Sequence, residues 1–198
     1  MGQAAADAAT ADADHSRQDT RQRLIDVAVE LFIRHSFAGT SLQMIADELG
    51  FTKAAIYHHF RTREQLLYAV VGPMLERLKT VIAEAEKLRG ANARADYLLT
   101  GFAELAVENR VVAVLATDPA VAKMLRASEW DELIQRQMAL LADVDPGPAG
   151  LVKATMVFAG VASASGPMSA TLGRDELLGY LVDTGRRALG LRAPRPKP

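Results

Sequence analysis

Apolar residues recur along most of this chain with the period of an α-helix. In "RQDTRQRLIDVAVELFIRH" the residues Leu24, Val27, Ala28, Leu31 and Phe32 fall at i, i+3, i+4, i+7 and i+8, which puts one apolar stripe on an otherwise polar rod. A first helix over about 21–35 follows. In "SFAGTSLQMIADELG" Thr40 and Gln43 have the spacing of a capping box, Ile45, Ala46 and Leu49 face inward, and Gly50 suits a left-handed stop, so the second helix is short. Thr52 caps a third helix over about 53–59, in which Ile56 and Phe60 make a buried i, i+4 pair. Thr62 and Gln65 offer another capping box, and a fourth helix starts at Arg63 and runs through "EQLLYAVVGPMLERLKTVIAEAEKL", with Pro73 kinking it rather than ending it.

Further helices are predicted near 94–108, 111–116, 120–142, 149–165 and 175–189, making nine, separated by "GAN", "TDP", "DVDPGPAG" and "SGPMSATLG". No alternating strand pattern competes and no internal repeat is present, so the fold class is all-α. The run 154–173 carries no charge over a length able to span a bilayer. It is rich in Ala, Ser, Thr and Gly and is cut by Gly166 and Pro167, which predicts a buried helix and no membrane span. The acidic residues 1–16 and the basic, proline-rich residues 190–198 are expected to be disordered tails, the first lacking the basic start and apolar run of a signal peptide.

With 198 residues, 49% of them hydrophobic, the chain can bury a large core. There is no cysteine, so disulfides and thiolate metal sites are excluded, which fits the reducing interior of a cytoplasm. An enzyme is not expected. The four histidines, His15, His35, His58 and His59, all precede the larger C-terminal half, so no histidine-assisted nucleophile can be built there, and no phosphate loop or dinucleotide fingerprint occurs. Neither a cofactor nor a metal is expected: His58 and His59 are adjacent, so on a helix they point about 100° apart, and no carboxylate completes a ligand set.

The informative stretch is "GFTKAAIYHHFRTREQLL". Two short helices joined by a glycine-containing turn and braced by an amphipathic helix make a helix-turn-helix. With Ile56 and Phe60 turned inward, helical spacing leaves Lys53, Ala54, Tyr57 and His58 on the open side. Such a face suits the major groove of duplex DNA. Lys53 can meet a phosphate or a guanine edge, Tyr57 a phosphate oxygen, the Ala54 methyl a thymine methyl, and His58 and His59 can donate to either. The N-terminus of the fourth helix, with Arg63 beside it, favours another anion. Net charge does not make the case: the whole chain carries −1, and seven basic and six acidic residues from Arg17 to Glu64 net +1.

"TSLQMIADELGFTKAAIYHHFRTREQLL", led by the helix over 21–35, resembles the DNA-binding domain of TetR-family transcriptional regulators, over about residues 21–70. The resemblance implies that Thr52, Lys53, Ala54, Ala55, Tyr57, His58 and His59 contact DNA from the recognition helix, that Gln43 reaches a base, that Ser41 meets a phosphate, and that Arg63 matches the phosphate-binding lysine that opens the fourth helix. Two positions depart from the family pattern: Ser36 stands where glycine usually follows helix one, and Phe51 where valine is usual. Gln43 cannot both cap helix two and read a base.

The implied organisation is a tail (1–16), a three-helix helix-turn-helix DNA-binding domain (17–62), a larger helical ligand-binding and dimerisation domain (63–189) and a tail (190–198). Helix eight, "AGLVKATMVFAGVASAS", is apolar nearly all round, with small surfaces at Ala159, Gly160, Ser163 and Ala164, and helix nine carries a wide stripe suited to a partner helix. Similar regulators dimerise through their last two long helices, so a homodimer through helices eight and nine is expected. The resemblance also implies a small-molecule effector in a cavity, with Tyr97, Phe102, Met124, Trp130, Met138 and Met156 as candidate lining and Asn109, Thr117, Gln135 and Thr155 as nearby polar groups. The expected function is a ligand-responsive repressor that binds double-stranded operator DNA and is released by a largely apolar effector. The alternative is a helical adaptor with a vestigial helix-turn-helix, which a gel shift separates.

Overall fold

The computed structural model describes residues 2–116, 118–128, 130–166 and 171–191. Among them there is no strand, and ten helices follow one another: α1 (Gly2–Gly39), α2 (Leu42–Glu48), α3 (Lys53–His59), α4 (Arg63–Glu86), α5 (Ala91–Glu108), α6 (Arg110–Ala116), α7 (Pro119–Arg126), α8 (Asp131–Ala142), α9 (Pro148–Ala164) and α10 (Arg174–Leu189). The helix predicted over 120–142 is two helices. Ser128 makes the break, its hydroxyl donating to the Leu125 carbonyl at 2.7 Å and accepting from the Trp130 amide at 3.2 Å. A serine bonding its own backbone in this way competes with helical pairing, and no Gly or Pro announces it. The helices numbered eight and nine from the sequence are therefore α9 and α10. α1 also reaches back over residues 2–16, where a tail was expected. Alanine, frequent in that stretch, has the highest helix propensity of any residue. Of the tail expected over 190–198, Gly190 is the left-handed cap of α10 and residues 192–198 lie outside the described ones.

The chain divides into two compact units, one up to Val71 and one from Gly72. The division falls inside α4 rather than at its start. Leu66, Leu67 and Val71, in the first turns of that helix, are buried, and the helix continues through Pro73.

In the first unit Leu24, Ala28, Leu31 and Phe32 of α1 are buried with Ile45 and Ala46 of α2 and with Ile56 and Phe60 at α3. The two turns are held by local chemistry. Gly50 sits at φ 65, the left-handed conformation the sequence assigns it. The cap of α2 is Ser41, whose hydroxyl accepts from the Met44 amide at 3.2 Å. The capping box expected from Thr40 and Gln43 does not form, because Thr40 is needed inside: it is 1% exposed and its hydroxyl lies 3.1 Å from the Leu31 carbonyl and 2.9 Å from that of Ser36. At α4 the predicted box does form, with the Thr62 hydroxyl accepting from the Gln65 amide and the Gln65 side chain accepting from the Arg61 amide.

The end of α1 is the strained point of this unit. Ser36 has φ 63 and ψ 165, a region essentially reserved for glycine, and it is the position where the family pattern has glycine. The chain then turns back beneath Arg63, whose Nη1 donates to the carbonyls of Ala38 (3.0 Å), Phe37 (3.4 Å) and Thr40 (3.4 Å). Its guanidinium carbon lies 4.9 Å from the centre of the Phe37 ring. Carbonyls at a helix end accept readily from a cation.

The second unit is a bundle in which α5 packs against α8 and α10, and α9 packs against α8 and α10. Gly185 of α10 lets that helix close on α5: a Cβ there would stand 2.7 Å from Leu99 Cδ1. Ion pairs join the same helices. Arg186 meets Asp96 at 2.5 Å, and Glu108 takes Arg77 of α4 at 2.7 Å and Arg174 of α10 at 2.5 Å, which holds the Glu108 carboxyl below its ordinary pKa.

Two substitutions at the end of α1 should act oppositely. Ser36→Gly should raise stability by about 1 kcal/mol, since relief of the backbone strain outweighs the loss of the exposed Ser36 hydroxyl bond to the Gly39 amide. Arg63→Ala should lower it by roughly 1–2 kcal/mol through loss of charged bonds to carbonyls. Urea unfolding midpoints at constant m-value read both, and a lower midpoint for Ser36→Gly would contradict the strain argument.

Candidate nucleic-acid interface

The site is built on α3, a seven-residue helix too short to persist alone. Its cap is Thr52, whose hydroxyl accepts from the Ala55 amide at 3.2 Å. Ile56 (0% exposed) and Phe60 (3%) turn into the core. That fixes the rotation of the helix and leaves Lys53, Ala54, Tyr57 and His58 exposed, with Ala55 and His59 half-buried. Tyr57 is 43% exposed, and the Lys53 ammonium stands 5.7 Å from the centre of its ring. A cation is thus steadied on an aromatic face at the front of the helix.

A shallow cleft of about 380 Å³ brings residues of α2, α3 and the start of α4 together. Ser41 and Gln43 line it with Lys53, Tyr57 and Arg63. Those five come from the candidate set, so residues up to 22 positions apart share one face. Gln43 does not cap: its amide donates to Asp47 Oδ1 at 2.7 Å, and the side chain stays exposed. The conflict between capping and reading a base is thereby removed. Ser41 and Thr52 are exposed, with their hydroxyls already accepting from their own helices. Arg63 lines the cleft while its guanidinium is engaged by three carbonyls and by Glu64 at 3.3 Å. Arg61 also lines the cleft, is exposed, and has no carboxylate partner among the described residues. The sequence reading passed over it, although its place in "FRTRE", between the end of α3 and the cap of α4, is the signal.

His59 has its pKa lowered, first by burial and then by the nearby charges of His58, Arg21 and Arg17. Among the described residues no three His, Asp or Glu side chains gather as a metal set.

The candidate effector-lining residues in the second unit do not gather in one described cavity. Phe102 is core, stacked on Phe158 at 5.3 Å between ring centres. Met124 and Met138 are half-buried. Tyr97 is 44% exposed. Trp130 borders a small polar cleft with Glu76, Lys79 and Arg136. Met156, 66% exposed, lines an apolar groove of about 420 Å³ between α9 and α10. Of the polar groups expected nearby, Gln135 and Thr155 are exposed and Thr117 lies outside the described residues. Two polar side chains of this unit are fully buried among the described residues: Ser165, whose hydroxyl donates to the Val161 carbonyl, and Gln137, with neither amide atom hydrogen-bonded. Gln137 is the unexpected one. Its signal was present in the sequence as the one polar position in the α8 stripe Leu133, Gln137 and Leu141.

Tyr180 in the wall of this groove is 57% exposed, and in the first turns of α9 Leu151 and Val152 are 57% and 58% exposed. α9 is therefore not buried all round. The apolar run 154–173 is not one helix, since α9 ends at Ala164, and no helix among the described residues is long and apolar enough to cross a membrane.

Residues 24–70 match the model of the bacterial regulatory proteins of the tetR family. Over 49 residues the chain is 45% identical to the HTH-type transcriptional regulator AcrR of Shigella flexneri, a stretch covering 25% of this chain and 23% of that protein. Over 54 residues it is 39% identical to the HTH-type transcriptional regulator SrpR of Pseudomonas putida, covering 27% of this chain and 25% of that one. The matched stretch is thus about a quarter of the length of these curated relatives. The crystal structure of SCO3833 from Streptomyces coelicolor A3, a member of the TetR transcriptional regulator family, is similar in fold over 86% of this chain and 91% of its own, with a TM-score of 0.65 at 24% identity. With α2, turn, α3 and the cap of α4 all in register, residues 24–70 of this chain are a DNA-binding domain of the tetR family of bacterial regulatory proteins.

Proposed function

We propose that the chain is a dimeric, ligand-responsive repressor that binds a palindromic operator in double-stranded DNA. The observation that carries the reading is the open face of α3, where Lys53, Ala54, Tyr57 and His58 stand exposed beside the cleft that also takes in Ser41 and Gln43. Lys53 and His58 are assigned to base edges, and Tyr57 and Ser41 to phosphates. Arg61 joins the phosphate group. Arg63 keeps a supporting role as well, since its bonds to the end of α1 fix the wall of the same cleft. A reader of duplex DNA works where a bacterium keeps its DNA, in the cytoplasm.

A seven-residue recognition helix reaches few base pairs, so two-fold repetition is needed for specificity. The groove between α9 and α10 is the surface assigned to the partner copy, because it is apolar and its walls include Gly160, Ala164, Thr184 and Ala188, short enough for another helix to approach. The effector is assigned to the second unit. Support comes from Gln137, since an amide buried without partners costs a few kcal/mol unless a polar group meets it. α4, with its first turns in one unit and the rest in the other, is the element through which the effector shifts DNA affinity. The adaptor reading is disfavoured by the uncovered cation and aromatic ring on α3.

Fluorescence anisotropy on the DNA upstream of the chain's own coding sequence tests the core of this. Lys53→Ala should cost on the order of 1–3 kcal/mol on the cognate duplex and clearly less on a random one. Equal losses on both would remove the base-reading role, and wild-type protein that binds neither duplex would remove the regulator. Gly160→Leu should dissociate the dimer without harming the fold, because a Cβ at that position meets nothing within 4 Å. Sedimentation at micromolar concentration reads it, and a wild-type monomer there would show the interface assignment to be wrong.

A further inference from the structure

The buried stripe of α1 does not stop where the core stops. Counting back from Ala28 and Leu24 by alternate steps of four and three gives Arg21 and Arg17, so these two arginines lie on the same face of the helix as the core residues, one and two turns further out. That face meets the end of α3. The Arg21 guanidinium carbon is 5.2 Å from the centre of the Phe60 ring, and Phe60 is the residue that caps α3. His59 completes the patch, its ring 5.4 Å from that of His58. Both arginines are exposed and neither has a carboxylate partner among the described residues. Asp19, two positions from each, points about 160° away round the helix. The depressed pKa of His59 reports the same uncompensated field, second to burial.

We propose that Arg17 and Arg21, with His59, form a second phosphate-binding patch for duplex DNA, beyond the C-terminal end of the recognition helix. The proposal rests on the DNA-binding reading above and extends its footprint to residues outside the helix-turn-helix. In a chain of net charge −1, duplex affinity must come from local concentrations of cation rather than from overall attraction. Stacking on Phe60 holds the Arg21 stem in place, so less rotamer freedom is lost when a phosphate is engaged. The patch carries no base-edge role: two guanidinium groups over the strand backbone position the protein without reading sequence.

The test compares wild type, Arg17→Gln/Arg21→Gln and Arg17→Lys/Arg21→Lys on a random duplex and on the chain's own upstream DNA, by fluorescence anisotropy at several salt concentrations, with thermal unfolding of each protein as a check on the fold. The glutamine pair should weaken both duplexes by a similar factor and lower the slope of log affinity against log salt by about 2, as for two lost phosphate contacts. The lysine pair should keep most of that slope. A glutamine pair that leaves affinity and slope unchanged, while Lys53→Ala still weakens binding, overturns the patch and leaves the regulator standing. A loss confined to the upstream DNA also overturns it, because it would place the arginines at base edges. If the lysine pair loses as much as the glutamine pair, charge is not what matters and the patch falls. If wild type binds neither duplex, this proposal and the regulator reading fail together.

Discussion

A helix of seven residues has no independent existence in water, so all that α3 presents depends on the burial of Ile56 and Phe60. Those two side chains, with the Thr52 cap, turn a marginal segment into a fixed rod of known rotation. Fixing the rotation decides the chemistry. A shift of one residue in the buried pair would carry Lys53 and Tyr57 round by about 100° and break up the face that the cleft now shares with Ser41 and Gln43. The functional surface is thus a by-product of packing on the opposite side of the same helix.

Packing alone does not set the angle between helices, and here the polar ties at the end of α1 matter. Thr40 inside, Arg63 over the last carbonyls and Ser36 in a glycine-like conformation together reverse the chain between α1 and α2. Arg63 shows how one residue serves two descriptions. It lines the cleft, as the proposed phosphate contact requires, and it is also the clamp that shapes the cleft. Electrostatics of the same local kind explain how a nearly neutral chain can suit a polyanion: Lys53, Arg61, Arg17 and Arg21 stand without carboxylate partners among the described residues, whereas the ion pairs of the second unit are spent on holding helices together.

Legibility in the sequence followed the range of the interaction. The bounds of α3, its cap, its buried pair and the cap of α4 could be read directly, because each depends on residues at most four apart. The Thr40 assignment failed because a bond to Leu31, nine positions away, outcompetes the local box. Arg63 was read as a free cation because its partners lie 23 to 26 residues back. In the second unit the loss was greater: helical period marked Met156 and Tyr97 as apolar, and nothing local says that they face outward, while Gln137 had a local signal, its place in the stripe of Leu133 and Leu141, that went unread. The break at Ser128 escaped notice because a serine turn leaves no Gly or Pro behind.

The exposed side of α9 leaves apolar surface of the second unit uncovered. Ala154, Val157 and Val161 satisfy the bundle, yet Leu151, Val152 and Met156 remain in water, as does Tyr180 of α10, and an apolar surface of that kind costs about 25 cal/mol per Å² until something covers it. A second copy would cover it with an identical surface, as two-fold symmetry requires. On the proposed dimeric reading, the same operation supplies a second α3, and so repeats a surface that the seven-residue limit keeps small. What the recognition helix lacks in length, the uncovered helix at the other end of the chain is suited to restore.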